Sequence, residues 1–231
     1  MIPFVPFNKI PRLNRACTIS EKIDGTNGII HIEPFSTAIA QVNALARIGD
    51  VVIYAGSRTR WITPEQDNHG FAKFVRDNAE ELALKLGPGT YHGEWWGLGI
   101  NRGYGLAEKR FSLFNTARWS DPAVRPVCCG VVPILYEGLF NSQMAWALLN
   151  ELELEGSKAV PGFMDPEGIV VYHHAGNNLF KATIKGDEEG KHEESHVKKE
   201  RPPKLPRDPS KGGRRKEQLP FEGEDRRRKI A

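Results

Sequence analysis

The chain predicts an α+β domain built on antiparallel sheets, followed by a charged tail. Three observations carry that expectation. Short β-branched and aromatic runs outnumber helical ones. They are not arranged in strand–helix–strand alternation, which argues against a parallel sheet. The composition changes sharply near Gly186, beyond which apolar residues are scarce and Pro, Gly and charge are dense.

Residues 16–23 and 28–32 read as a hairpin around an Asp24-Gly25-Thr26-Asn27 turn. Residues 50–57 form a β-branched run, as do 111–114, 131–135 and 168–172, and 178–184 is the last expected strand. Residues 69–86 repeat apolar side chains at helical spacing (Phe71, Phe74, Val75, Ala79, Leu82, Leu86) and stop at Gly87-Pro88-Gly89, so one helix is expected there. A second helix is expected over 142–154, with Ser142 as its N-cap. Two regions follow: a folded domain over 1–185 and a polar, disordered tail over 186–231, too poor in apolar side chains to offset its ordering entropy.

The formal charge of +3 resides in that tail, which holds 14 Lys and Arg against 11 Asp and Glu; the preceding residues balance at 18 of each. The clusters Arg214-Arg215-Lys216 and Arg226-Arg227-Arg228-Lys229 suit phosphate contacts or simply solubility. No run of 18 apolar residues occurs, and the N-terminus lacks a basic segment followed by an apolar stretch. No membrane association and a cytoplasmic location are therefore expected. Three cysteines, Cys17, Cys128 and Cys129, form no CxxC pair and read as reduced thiols.

The chemistry centres on Glu21-Lys22-Ile23-Asp24-Gly25-Thr26-Asn27-Gly28. Lys-x-Asp-Gly alone is weak, arising by chance in about one chain in twenty of this length. Its placement at a strand end, beside a glycine that lets backbone approach a ligand, gives it weight. A lysine is a nucleophile only without its proton, and removing that proton near pH 7.4 costs about 4 kcal/mol unless a cation or metal lowers its pKa. Further segments follow in order. Ser57-Arg58-Thr59-Arg60 offers guanidinium forks for phosphate. Tyr91-His92-Gly93-Glu94-Trp95-Trp96-Gly97 places a carboxylate in an aromatic strand, where it can accept from a ribose hydroxyl. Phe114, in Phe111-Ser112-Leu113-Phe114-Asn115, is an aromatic able to stack on a purine. Glu167 precedes a buried strand and suits Mg²⁺ over phosphate. Phe180-Lys181-Ala182-Thr183-Ile184-Lys185 supplies lysines for the α-phosphate. Each segment alone is also consistent with a surface charge or core packing; the ordered set is not.

The ordered set resembles the covalent nucleotidyltransferases: DNA ligases, RNA ligases and mRNA capping enzymes. Within them it is most similar to the RNA ligase family, close to the RNA ligase 2 type, over about residues 19–185. The resemblance implies an antiparallel-sheet nucleotidyltransferase (ATP-grasp-like ligase) domain using ATP with Mg²⁺ or Mn²⁺. Lys22 then matches the nucleophile that takes AMP, and Glu21 the neighbour that helps read adenine. Asp24 and Gly25 complete the motif. Arg58 matches the motif Ia arginine, Glu94 the ribose-contacting glutamate and Phe114 the adenine-stacking aromatic. Glu167 matches the metal-binding acid, and Lys181 the first lysine of the last motif. Two positions depart from the pattern. Asn115 stands where an aspartate usually follows the aromatic, and Thr183 stands at the second lysine of Lys-x-Lys, leaving Lys185 two residues later as its replacement.

The implied partners are RNA (or DNA) ends carrying a 5′-phosphate and a 3′-hydroxyl. The short polar segment after Lys185 leaves no room for the OB-fold expected of DNA ligases and capping enzymes, which favours RNA. The alternatives are a minimal ATP-dependent DNA ligase and a nucleotide- or nucleic-acid-binding relative that does not turn over.

Overall fold

The computed structural model describes residues 3–7, 9–37 and 41–185. The tail expected over 186–231 lies outside the described residues. Two sheets make up the fold. The smaller has the order β11-β10-β1-β9, from β1 (Ala16–Lys22), β9 (Ile134–Leu139), β10 (Gly168–His173) and β11 (Asn178–Thr183). The larger has the order β3-β4-β2-β6-β7-β8, with β5 paired to β4. Its strands are β2 (Thr26–Pro34), β3 (Ala46–Ile48), β4 (Val51–Gly56), β5 (Trp61–Ile62), β6 (Gly89–Gly97), β7 (Lys109–Leu113) and β8 (Cys129–Val131). Among the described strands every pairing is antiparallel except β7 with β8.

The hairpin expected around residues 24–27 does not form. β1 pairs with β9 and β10, whereas β2 pairs with β4 and β6, so the chain crosses from one sheet to the other at Gly25. The crossing depends on glycine: a Cβ on Gly25 would lie 2.5 Å from the Trp95 carbonyl oxygen. The run 131–135 likewise divides between sheets, into β8 and β9. Pro133 stands at the division; lacking an N–H, it cannot continue a ladder, but its carbonyl accepts from Glu21 N at 2.9 Å.

The single helix expected over 69–86 is two: α1 (Phe71–Asp77) and α2 (Ala79–Leu86). His69 and Gly70 both have positive φ, which delays the start. Asp67 then accepts from Ala72 N at 2.7 Å and Lys73 N at 3.0 Å, satisfying first-turn donors. Asn78 leaves helical geometry, and its side chain donates to the Phe74 carbonyl at 2.7 Å, breaking the helix there. A short α3 (Thr116–Trp119) was not expected. The later helix, α4 (Ser142–Glu155), forms as expected, but Asn141 rather than Ser142 caps it, accepting from Gln143 N at 2.9 Å.

Each sheet buries one face. Phe71, Val75 and Leu82 from α1 and α2 pack on Ile30, Ile53, Trp95, Phe111 and Leu113 of the large sheet. Leu149 and Leu152 from α4 pack on Ile19, Ile169 and Val171 of the small one. Alternation along each strand gives the large sheet's other face a mixed lining, with Asn27, Glu94 and Ser112 beside Ile29, Tyr54 and Trp96. A third cluster, Ile23, Trp96, Tyr104 and Val132, joins segments of the two sheets. Cys17 and Cys129 are buried and Cys128 is half-buried, all as free thiols. Among the described residues no helix is long and apolar enough to cross a membrane.

Candidate functional site

Lys22 ends β1, and strand alternation separates its side chain from that of Glu21. Across the ladder Lys22 pairs with Gly168, and Gly168 with Thr183, so Lys22 and Thr183 share a face, as does Lys181 two residues earlier. A Cβ on Gly168 would lie 2.2 Å from the Ala182 carbonyl oxygen, so glycine is required for β11 to run this close. One residue before Gly168, Glu167 accepts a hydrogen bond from Lys22 Nζ at 2.6 Å. Both side chains are about a quarter exposed or less (24% and 19%), so this pair is partly shielded from water.

The large sheet contributes the other half. Asn27 on β2 pairs with Glu94 on β6, which pairs with Ser112 on β7. These residues lie on the face away from α1 and α2, and alternation beyond Ser112 brings Phe114 to the same side. Glu94 Oε1 accepts from Gly25 N at 3.1 Å, and Oε2 accepts from Asn27 Nδ2 at 3.4 Å. Asn27 Oδ1 in turn accepts from Arg58 Nε at 2.9 Å. Burial pushes the Glu94 carboxyl up to about 7, against the opposing pull of the Lys22 charge and the Gly25 N–H; the nearby carboxylates of Glu167 and Asp24 push it further up. Lys22, Glu94 and Glu167 therefore act on one another electrostatically. Phe114 is 40% exposed, unlike the buried Phe111 and Leu113 before it.

Asp24 anchors the crossing segment rather than entering this group. Its carboxylate accepts from Asn101 Nδ2 at 2.8 Å and Arg102 Nε at 3.0 Å, and its N–H donates to the Tyr104 hydroxyl at 2.9 Å. Arg102 NH1 also donates to the carbonyls of Asp165 at 2.7 Å and Pro166 at 2.6 Å, just ahead of Glu167. One guanidinium thus fixes the segment after Lys22 against the segment before Glu167. Asn101 and Tyr104 both take positive φ to make these contacts.

Two side chains engage partners that the sequence does not suggest. The Glu21 carboxylate is buried, accepting from Ser157 Oγ at 2.6 Å and from Lys158 N and Ala159 N at 2.8 Å each, so the side chain pins the segment after α4 instead of opening toward Lys22. Thr183 occupies the row of Lys22, and Lys185, two residues on, donates from Nζ to Asp165 Oδ1 at 2.6 Å. Lys181 is exposed on the Lys22 face.

Sequence reasoning assigned no role to Asn27, Asn101 or Arg102. Asn27 had a local signal, since it follows the motif on a strand that faces Glu94. Asn101 and Arg102 had none, because their partners are more than 60 positions away. Among the described residues no group of three or more His, Cys, Asp or Glu is arranged to hold a metal ion. A cavity of about 580 Å³ opens beside the site; Ile23, Trp96, Ser112 and Ala159 line it, whereas Lys22, Glu94, Phe114 and Glu167 do not.

The RNA ligase family model matches residues 15–183. Among solved structures, a variant of the Naegleria gruberi RNA ligase with ATP and Mn is similar at a TM-score of 0.53 and 18% identity, covering 74% of this chain and 50% of that one. A second variant of the same enzyme, in its apo form, gives a TM-score of 0.50, also at 18% identity with 74% and 50% covered. At that identity the likeness is one of fold, and the chain spans about half the length of these solved relatives. No curated protein matches the chain. With a family match extending from the first residue before β1 to the last residue of β11, the chain belongs to the RNA ligase family.

Proposed function

We propose that this chain is an ATP-dependent RNA ligase in which residues 1–185 form the adenylyltransferase domain and Lys22 carries AMP as a phosphoramidate. One observation carries the reading. The motif lysine sits 2.6 Å from Glu167 on one sheet, within electrostatic reach of the buried Glu94 on the other.

Lys22 Nζ, once unprotonated, attacks the α-phosphorus of ATP. The N–P bond forms, the bond to the pyrophosphate oxygen breaks, and the amine loses its remaining extra proton. Glu167 holds Nζ in place until nucleotide arrives, through the hydrogen bond between them. Arg58 and Lys181 bring positive charge to a triphosphate that otherwise repels a nucleophile. Glu94 suits a ribose hydroxyl, and the partly exposed Phe114 ring suits stacking on adenine. An oxygen of a 5′-phosphate end then displaces Lys22 and takes the AMP. Last, a 3′-hydroxyl attacks that activated phosphate, sealing the strand and releasing AMP.

The donor set fits Mg²⁺ or Mn²⁺ held chiefly by the nucleotide and water. Glu167 offers one carboxylate, with no protein cage among the described residues, as Mg²⁺ bound with phosphates requires. When bound, the cation offsets charge on the leaving pyrophosphate. Glu167 is the side chain of this chain placed to hold it.

The test is incubation with α-labelled ATP and Mg²⁺ or Mn²⁺. The wild type is expected to gain one AMP by mass, Lys22→Ala none, and Glu167→Ala far less than wild type. A folded wild type that never gains AMP, or a Lys22→Ala variant that does, overturns the reading. A panel of RNA, DNA and hybrid ends with 5′-phosphate and 3′-hydroxyl then follows. Sealing confined to all-DNA ends supports a minimal DNA ligase instead.

A further inference from the structure

On the large sheet the face that carries Asn27 and Glu94 continues away from Lys22. Along β2 the side chains of Asn27, Ile29 and His31 share that face, because alternate residues do. Ile29 pairs with Gly56 and Gly56 with Trp61, while His31 pairs with Tyr54, so two further rows follow the Asn27 row. The rings of His31, Tyr54 and Trp61 meet pairwise, with centroids 5.7–5.9 Å apart. Gly56 lets Trp61 sit close. A Cβ there would lie 3.2 Å from the indole and 3.3 Å from Ile29 Cβ, so a side chain at this position would push Trp61 outward by a few tenths of an ångström.

The lower rings are fixed in place. Tyr54 is buried, with its hydroxyl donating to Glu33 Oε1 at 2.9 Å, and His31 Nδ1 is 2.8 Å from Thr90 Oγ1. Trp61 forms the outer surface of the group and is 45% exposed. Arg58 and Arg60 flank it on the turn between β4 and β5, bonded to the Asn27 side chain and the Gln66 carbonyl. Neither makes an ion pair among the described residues. Trp61 lies one row (about 7 Å) along and two strands (about 10 Å) across from Asn27, so the two backbones are about 12 Å apart, and the His31 row lies about 13 Å along β2 from Asn27.

We infer that Trp61 is a stacking platform for an unpaired base of the polynucleotide being joined, with Arg60 on its phosphates. The inference rests on the RNA ligase reading of the Lys22 cleft and narrows its substrate to single-stranded ends. A base inside a duplex has both faces covered by its neighbours and cannot lie on an indole; an unpaired base can. The face continues directly from the proposed nucleotide cleft, and its uncompensated positive charges match a phosphate backbone.

Two measurements test this. The first compares binding of a 5′-phosphorylated single-stranded RNA and a blunt RNA duplex by anisotropy at one fixed salt concentration. Trp61→Ala should raise Kd for the single strand about 5- to 100-fold, the range of one lost base–aromatic stack, and Trp61→Phe should raise it less. Duplex Kd should change less than about twofold. Unchanged single-strand binding, or equal loss for both ligands, overturns the inference. The second reads the ring directly in a Trp146→Phe background, where Trp61 is the exposed indole that remains, since Trp95, Trp96 and Trp119 are buried. Titration with single-stranded RNA should quench its emission, and an unquenched signal at saturating RNA also overturns the inference. Wild-type AMP uptake involves no polynucleotide, so failure of the platform and failure of the cleft reading are separable.

Discussion

Replacing Glu94 by glutamine should make the protein more stable, and by an amount that grows with pH. Burial raises the Glu94 carboxyl from 4.5 to about 7, whereas the unfolded chain leaves it at its ordinary value. The folded state therefore binds this proton more tightly than the unfolded state. The stability that Glu94 confers is fully present below about pH 4.5 and is lost as pH rises through about 7. At about 1.4 kcal/mol per pH unit, the loss approaches 3 kcal/mol by pH 8. Glutamine keeps one oxygen for the Gly25 N–H, gives up only the long 3.4 Å contact from Asn27 Nδ2, and carries no charge, so it avoids the loss. The measurement is urea unfolding of both proteins from pH 4.5 to 8, at equal m-values. The stability difference should shift toward the variant by about 3 kcal/mol over that range, with most of the change between pH 5 and 7.5. Other groups titrate alike in both proteins and cancel. A difference that stays constant within about 0.5 kcal/mol would show that Glu94 ionises as freely in the fold as out of it.

Arg102→Ala should lower the rate of AMP uptake at least tenfold while leaving KM for ATP within about threefold, because the Arg102 guanidinium is spent on Asp24 and two carbonyls and acts by spacing Lys22 and Glu167. Arg102→Lys should recover part of the rate, since an ammonium can hold Asp24 but cannot fork over two carbonyls as well; a wild-type rate in Arg102→Ala would remove the positioning role. Gly25→Ala should destabilise the fold by about 1–3 kcal/mol, because its Cβ would meet the Trp95 backbone oxygen at 2.5 Å and that strand cannot yield cheaply. An unchanged urea midpoint would show that the crossing between sheets tolerates a side chain.

The strands were legible because a strand declares itself locally, by β-branched and aromatic runs. Their partners were not. Residues 16–32 read as two adjacent strands with a turn between them, and nothing local distinguishes a hairpin from a crossing. What decides it is Gly25 lying against Trp95 and Glu94, a contact made seventy residues away. The same holds for the helices. Apolar spacing over 69–86 is correct for both halves, but the break comes from one polar side chain turning back on the backbone at Asn78. At the candidate site, Lys22, Glu94, Phe114 and Glu167 stand out in the sequence because each is beside glycine or at a strand end. Arg102 does not, since its function exists only once residues 24 and 165–166 are brought together.

The three glutamates of this region show why residue type alone does not assign a role. Glu21, Glu94 and Glu167 are all carboxylates on or beside strands, and by residue type each is a candidate for nucleotide or metal. Their surroundings separate them. Glu21 accepts from one hydroxyl and two backbone N–H groups, so releasing it would leave a buried charge and three orphaned donors. It is committed to the fold. Glu94 is buried with only one backbone N–H and one distant amide, too few to hold it ionised as an ordinary carboxylate. It has unused hydrogen-bonding capacity, which a ribose hydroxyl can fill. Glu167 is held by a single lysine, in a partly open position. In the proposed reaction, exchanging that lysine for a nucleotide-borne cation would cost Glu167 one partner and gain it another, and the same exchange would free the Lys22 amine. Among the three, only Glu167 has a partner whose departure that reaction calls for.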